Sequence, residues 1–222
     1  MKISKYAIGG SLLVIITVTA SIAASFAYAQ GAQREAKTVL FFGDSITAGF
    51  GLDPDQAFPA LIQTKVNQEG WNIHIINAGL SGETSAGGVR RIDWVLQRSI
   101  DVLVLELGGN DGLRGIDLTS TKQNLQDIMD RAREQYPDVN IILAGMQIPP
   151  NMGPEYIQAF RDIYPALADE NDVTLLPFLL KDVGGIRELN QSDGIHPTPQ
   201  GHAVVAETVW TTLRPVLQRI QQ

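Results

Sequence analysis

Three short segments carry the side chains of this chain that could do chemistry together: Gly43-Asp44-Ser45, Gly109-Asn110-Asp111 and Asp193-Gly194-Ile195-His196. They supply a hydroxyl, a primary amide and an Asp/His pair. Those are the parts of an acyl-transfer site: a serine nucleophile, a base, an orienter for the base, and donors for an oxyanion. Each segment also has a plainer reading. Asp44 or Ser45 can simply cap a following helix. The first segment is not a G-x-S-x-G elbow, because position 47 is Thr. His196 stands three residues after Asp193 and directly before Pro197, which favours extended backbone at His196. The carboxylate can then accept the ring Nδ1–H and leave Nε2 as a base; the plain alternative is an Asp turn beside a surface histidine. Of the other two histidines, His74 lies inside a predicted strand, and His202 opens the last predicted helix and is expected to be exposed.

The oxyanion donors would be the Asn110 amide and the backbone N–H groups of Ser45 and Gly82. Gly79, Gly82, Gly87 and Gly88 can equally be flexible loop positions. Rival chemistries are poorly served. The chain has no cysteine and no H-x-x-x-H pair for a metal, and no phosphate-binding glycine motif. No cofactor is implied.

These residues need a frame that brings them to one place. Thr38–Phe42, Asn72–Asn77, Val102–Leu107, Asn140–Met146 and Val173–Leu176 are short, apolar and rich in β-formers, and are predicted as strands. Between them, apolar residues recur at helical spacing over Phe58–Asn67, Gly87–Ser99, Ser120–Gln135, Pro154–Glu170 and Gly201–Gln218, with a kink allowed near Pro215. Alternating strands and helices imply βαβ units and a mainly parallel sheet covered on both faces. Sites in such sheets lie beyond the carboxyl ends of the strands. Ser45, Gly82 and Asn110 follow the first three strands, so they share one rim. The Asp193–His196 loop precedes the last helix, from which it can reach that rim.

The chain has 222 residues and a formal net charge of −7. Lys2 and Lys5 precede an uncharged stretch from Tyr6 to Gln33 that contains Ala27-Tyr28-Ala29. A basic start, an apolar run and an A-x-A site predict a signal peptide over residues 1–29, cleaved between Ala29 and Gln30. A retained anchor is the alternative, since the apolar run from Ala7 to Ala24 approaches a membrane span. Cleavage would remove two of the 17 basic residues and none of the 24 acidic ones, leaving a net charge near −9. A basic nucleic-acid footprint is therefore absent. A short segment over 30–37 and a single domain over 38–222 are expected.

The four blocks Gly43-Asp-Ser-Ile46, Asn77-Ala-Gly-Leu-Ser-Gly-Glu-Thr84, Gly108-Gly-Asn-Asp111 and Asp193-Gly-Ile-His-Pro197 resemble those of the SGNH (GDSL) hydrolases. The strings Glu106–Gly115 and Met146–Pro150 are similar to the bacterial arylesterase, thioesterase I and lysophospholipase branch. The resemblance spans about Thr38 to Trp210. It implies a flavodoxin-like three-layer α/β/α sandwich with a five-stranded sheet, with Ser45 as nucleophile, His196 as base and Asp193 as orienter. It implies an oxyanion hole of Ser45, Gly82 and Asn110. The first block ends in Ile where the family name has Leu, which touches nothing catalytic.

The expected activity is hydrolysis of carboxylic esters and thioesters in a periplasmic or secreted monomer. The substrate would be a small-molecule or lipid acyl ester, with no nucleic-acid partner and no membrane span once the signal is removed. Loops 108–114, 148–156 and 178–186 carry apolar residues suited to an acyl chain. A carbohydrate O-acetyl esterase or acyltransferase on the same scaffold is the rival enzyme. A non-catalytic acyl- or glycan-binding module is the rival from another class.

Overall fold

Five parallel strands build the frame in a computed structural model that describes residues 36–221. They are β1 (Lys37–Gly43), β2 (Ile73–Gly79), β3 (Val102–Glu106), β4 (Asn140–Ala144) and β5 (Thr174–Leu176), in the order β2-β1-β3-β4-β5. Every neighbouring pair is parallel. This is the flavodoxin-like order, with its topological switch point between β1 and β3. The two strands that flank the switch are almost wholly buried, as their unbroken apolar runs require.

Among the described residues, seven α-helices accompany the strands: α1 (Ser45–Ala48), α2 (Phe58–Gln68), α3 (Ser85–Val95), α4 (Gly109–Leu113), α5 (Leu118–Gln135), α6 (Pro154–Asn171) and α7 (Pro199–Ile220). Helices α2 and α7 pack together on one face; α5 packs between α3 and α6 on the other. Consecutive residues of β1 show the two faces. Phe41 meets Phe58 of α2 edge-to-face at 5.3 Å, while Phe42 lies under the Arg91 guanidinium of α3 at 4.4 Å. A strand alternates its side chains, so one strand feeds both layers of core. Burying each such ring contributes roughly 1.5–3 kcal/mol.

The five predicted strands and five longer helices are all present, with shifted ends. Helix α3 starts at Ser85, not Gly87, because the Thr84 hydroxyl accepts the Gly87 N–H at 3.2 Å and caps it there. It stops at Val95, short of Ser99. Helix α7 starts at Pro199, capped by Thr198, and runs unbroken past Pro215 to Ile220. The periodicity gave no signal for α1 and α4, which are too short to show one.

The predicted signal peptide over 1–29, its cleavage site and the following segment through Glu35 lie outside the described residues. Among the described residues, no helix is long and apolar enough to cross a membrane.

Candidate active site

The chain leaves β1 at Gly43 and enters α1 at once. A side chain at Gly43 would put its Cβ 2.2 Å from Thr47 Oγ1 and 2.4 Å from Glu106 Oε2, so only glycine fits. Asp44 is the cap of α1, its Oδ1 accepting the Ile46 N–H at 2.9 Å. Ser45 is therefore the first helical residue, free of capping duty. Its Oγ lies 2.9 Å from His196 Nε2. Asp44 does the capping, and the Ser45 hydroxyl is left to face the imidazole.

His196 is set by its own loop. Asp193 Oδ2 lies 2.6 Å from His196 Nδ1. Asp193 Oδ1 accepts the backbone N–H groups of Ile195 at 2.9 Å and His196 at 3.0 Å. Gly194 turns the chain between them with φ +70°. Burial opposes the Asp193 charge, but the hydrogen bonds from the His196 ring and from the two N–H groups together outweigh it and hold Asp193 down at about 2. The Phe50 ring stands 4.6 Å from the imidazole, tilted by 39°.

His202 corrects an expectation. It is 1% exposed, not open to solvent, and its Nδ1 accepts the Phe58 N–H at 3.2 Å. The first turn of α7 faces α2, so position six after His196 points inward. Burial, and then the nearby His196, push the His202 ring down to about 4. It is a neutral structural acceptor. His74 sits on exposed β2 at the sheet edge.

Asn110 follows β3 in α4. Its Nδ2 donates to Asp44 Oδ2 at 3.0 Å and to the Glu83 carbonyl at 3.1 Å. One amide thus joins the neighbours of Ser45 and of Gly82. Both of its N–H groups have acceptors in this state. Gly82 has φ +78°, and neither its N–H nor that of Ser45 donates to a backbone acceptor among the described residues. Arg114 closes the edge, with Nη2 3.2 Å from the Gly82 carbonyl and 3.4 Å from Asn110 Oδ1.

Support behind these groups was not foreseen. Glu83 forms an ion pair with Arg91, which also donates to the Ala78 carbonyl at 2.9 Å. Asp111 accepts the Ser85 N–H at 2.8 Å and its hydroxyl at 2.6 Å, tying α4 to α3. Glu106, at the end of β3, is fully buried under Asp44. An acidic residue closing an all-apolar strand was the one available signal for it. Burial raises Asp44 to about 6 against its hydrogen bonds, and raises Glu106 well above the usual carboxylate range, with the Asp44 charge adding to the latter.

A cavity of about 500 Å³ opens beside Ser45, Asn110 and His196. All three loops expected to serve an acyl chain contribute: Leu113 from the first, Ile148 and Pro149 from the second, Phe178 and Leu180 from the third. Met146 and Ile195 add apolar surface that was not anticipated. Gly82 lies outside this lining. No cluster of His, Cys, Asp and Glu among the described residues could hold a metal.

Residues 41–204 match the GDSL-like lipase/acylhydrolase family. The chain is 44% identical over 186 residues to esterase TesA of Pseudomonas aeruginosa, covering 83% of this chain and 92% of that protein. It is 37% identical over 183 residues to thioesterase 1/protease 1/lysophospholipase L1 of Escherichia coli strain K12, covering 82% and 86%. Among solved structures it is similar to the psychrotrophic esterase EstA from Pseudoalteromonas sp. inhibited by monoethylphosphonate, with TM-score 0.77 and 31% identity over 82% of this chain and 99% of that one.

Proposed function

The chain belongs to the GDSL-like lipase/acylhydrolase family and is an ester-bond hydrolase, and from that premise we propose that Ser45, His196 and Asp193 act as its catalytic triad. The observation that carries this reading is the unbroken relay from Ser45 Oγ to His196 Nε2 at 2.9 Å and from Nδ1 to Asp193 at 2.6 Å.

His196 Nε2 takes the Ser45 hydroxyl proton as Oγ attacks the ester or thioester carbonyl carbon. The carbonyl oxygen becomes an oxyanion that receives the Ser45 and Gly82 N–H groups and the Asn110 amide. To reach it, Asn110 shares one of the N–H groups now directed at Asp44 and Glu83. His196 then gives its proton to the departing alcohol or thiol as the tetrahedral carbon collapses to the acyl-Ser45 ester. Water repeats the sequence, giving its proton to His196 and its oxygen to the acid product. Asp193, anionic throughout the neutral range, keeps the Nδ1–H directed away from the serine.

The apolar lining of the cavity supports an aliphatic or aromatic acyl group as the part of the substrate bound beside Ser45. That lining favours this reading over a carbohydrate acetyl ester, whose small acyl group would leave most of the cavity unfilled. Every side chain named comes from one chain, so the proposal needs no second subunit. The predicted signal peptide places the enzyme in the periplasm or outside the cell; N-terminal sequencing of exported protein beginning at Gln30 is the expected result.

The test is covalent. An alkylphosphonate ester should inactivate the enzyme stoichiometrically, with the added mass on the peptide containing Ser45. Ser45→Ala should take no label and lose ~10⁴–10⁶ in kcat on p-nitrophenyl acyl esters. Full activity in Ser45→Ala sinks the proposal.

A further inference from the structure

Asp44 and Glu106 are two buried acids in direct contact beside the nucleophile, the Asp44 N–H donating to Glu106 Oε2. Their four oxygens are unequally served. Asp44 Oδ1 accepts the Ile46 N–H at 2.9 Å, and Oδ2 accepts Asn110 Nδ2 at 3.0 Å. Glu106 Oε2 accepts both the Asp44 N–H at 3.1 Å and the Thr47 hydroxyl at 2.7 Å. Glu106 Oε1 is buried and has no donor. A buried carboxylate oxygen without a donor is costly, and more so beside a second carboxylate. A proton on Glu106 relieves the second cost, because it leaves one anion in the pair.

We propose that Glu106 is a positioning residue that holds a proton, so that the Asp44 carboxylate alone of the buried pair stays ionised and anchors the Asn110 amide. The proposal rests on the assignment of Asn110 to the oxyanion site. Its chemical content is charge control. Two anions buried beside a forming oxyanion would oppose it; a shared proton leaves only one. The other titratable groups around the pair are His196, which favours the Asp44 anion, and Tyr164 and Asp111. Tyr164 donates its hydroxyl to the Leu107 carbonyl at 3.0 Å and is itself driven well above its usual range by burial and then by Glu106, Asp111 and Asp44, so it supplies no charge. Burial displaces both carboxyls upward, which agrees with one proton held within the pair.

The experiment is infrared difference spectroscopy of the folded enzyme at pH 7.5, comparing wild type with Glu106→Gln and Asp44→Asn. A protonated carboxylic-acid C=O band that shifts in D2O should be present in wild type, absent in Glu106→Gln and retained in Asp44→Asn. Asn is itself a good helix cap, so the last variant keeps α1. Absence of the band in wild type, or its loss in Asp44→Asn with retention in Glu106→Gln, overturns the proposal.

Kinetics supply the second arm. Glu106→Gln preserves shape and offers an N–H where the acid offers O–H, so its kcat should stay within about tenfold of wild type, whereas Glu106→Leu should lose ~100- to 1000-fold in kcat with little change in KM. Equal kcat in Glu106→Leu and wild type also overturns it; if Glu106→Leu does not fold, the infrared result and the Gln variant decide. Ser45→Ala separates the two readings. If Ser45→Ala stays active while the band follows Glu106, the triad assignment fails and the proton assignment stands.

Discussion

The contacts that hold His196 span three residues, from Asp193, whereas those that hold Asn110 span 66 residues to Asp44 and 27 to Glu83. The proposed proton-transfer side of the site is a self-contained turn at the surface, where the Asp193 side chain is 38% exposed. The proposed oxyanion side is assembled from the ends of β1, β2 and β3 and is backed by the buried Asp44–Glu106 pair. A local turn can be altered without disturbing the sheet. A group hung between three strand ends cannot, because the same bonds that aim it also join the strands.

The sharpest way to break this contrast is to damage each side and read activity and stability separately. Asp193→Asn should lower kcat by ~10⁴, through the wrong imidazole tautomer. The Asn oxygen still accepts the Ile195 and His196 N–H groups, so urea unfolding should be unchanged. A large stability loss in Asp193→Asn would show that the turn is not self-contained.

Asn110→Ala should lose ~100- to 1000-fold in kcat. Unlike Asp193→Asn, it should also cost about 1–3 kcal/mol of unfolding free energy, because Asp44 and the Glu83 carbonyl lose a buried partner. Activity loss without any stability loss would contradict the joined-strand account.

His202 and Asp44 extend the comparison to pH. His202 binds its proton at about 4 in the folded protein against an ordinary 6.5. Between those values the unfolded chain takes up more protons, so stability is full above pH 6.5 and is lost as pH falls towards 4, by an amount of order 3 kcal/mol. Asp44 acts with the opposite sign, since its raised value means that the folded state holds its proton more firmly. The difference between wild type and His202→Gln cancels the carboxyl contribution. That difference, from urea unfolding at pH 7 and pH 5, should favour the variant in acid; parallel pH curves would refute the buried-neutral role.

Phe50→Ala should have the smallest effect. The exposed ring meets the imidazole at 4.6 Å, and such a pair is worth about 0.5–1.5 kcal/mol, so kcat should fall about 2- to 10-fold at unchanged stability.

The same division explains what could be read from the residues in advance. Strand and helix identity followed from apolar period, and rim placement of Ser45, Gly82 and Asn110 followed from parallel topology alone. The Asp193–His196 turn was legible because its partners are neighbours in the chain. His202 was misplaced because periodicity located its helix but not the face turned towards α2. Glu106 was passed over because its one local signal, an acid closing an apolar strand, does not say what the acid meets; its partners Asp44 and Thr47 lie about 60 residues away.

By itself, then, the sequence determined the alternation of strands and helices, the parallel sheet, and four blocks whose residue types suit acyl transfer. These depend on hydrophobic period and on short-range turn chemistry, which act within a few residues. Only the tertiary structure decided that the Ser45 hydroxyl meets His196, that Asn110 bridges two strand ends, that His202 is buried, and that one oxygen of Glu106 has no donor. Those outcomes depend on distances between groups far apart in the chain, and such distances exist only once the sheet has packed.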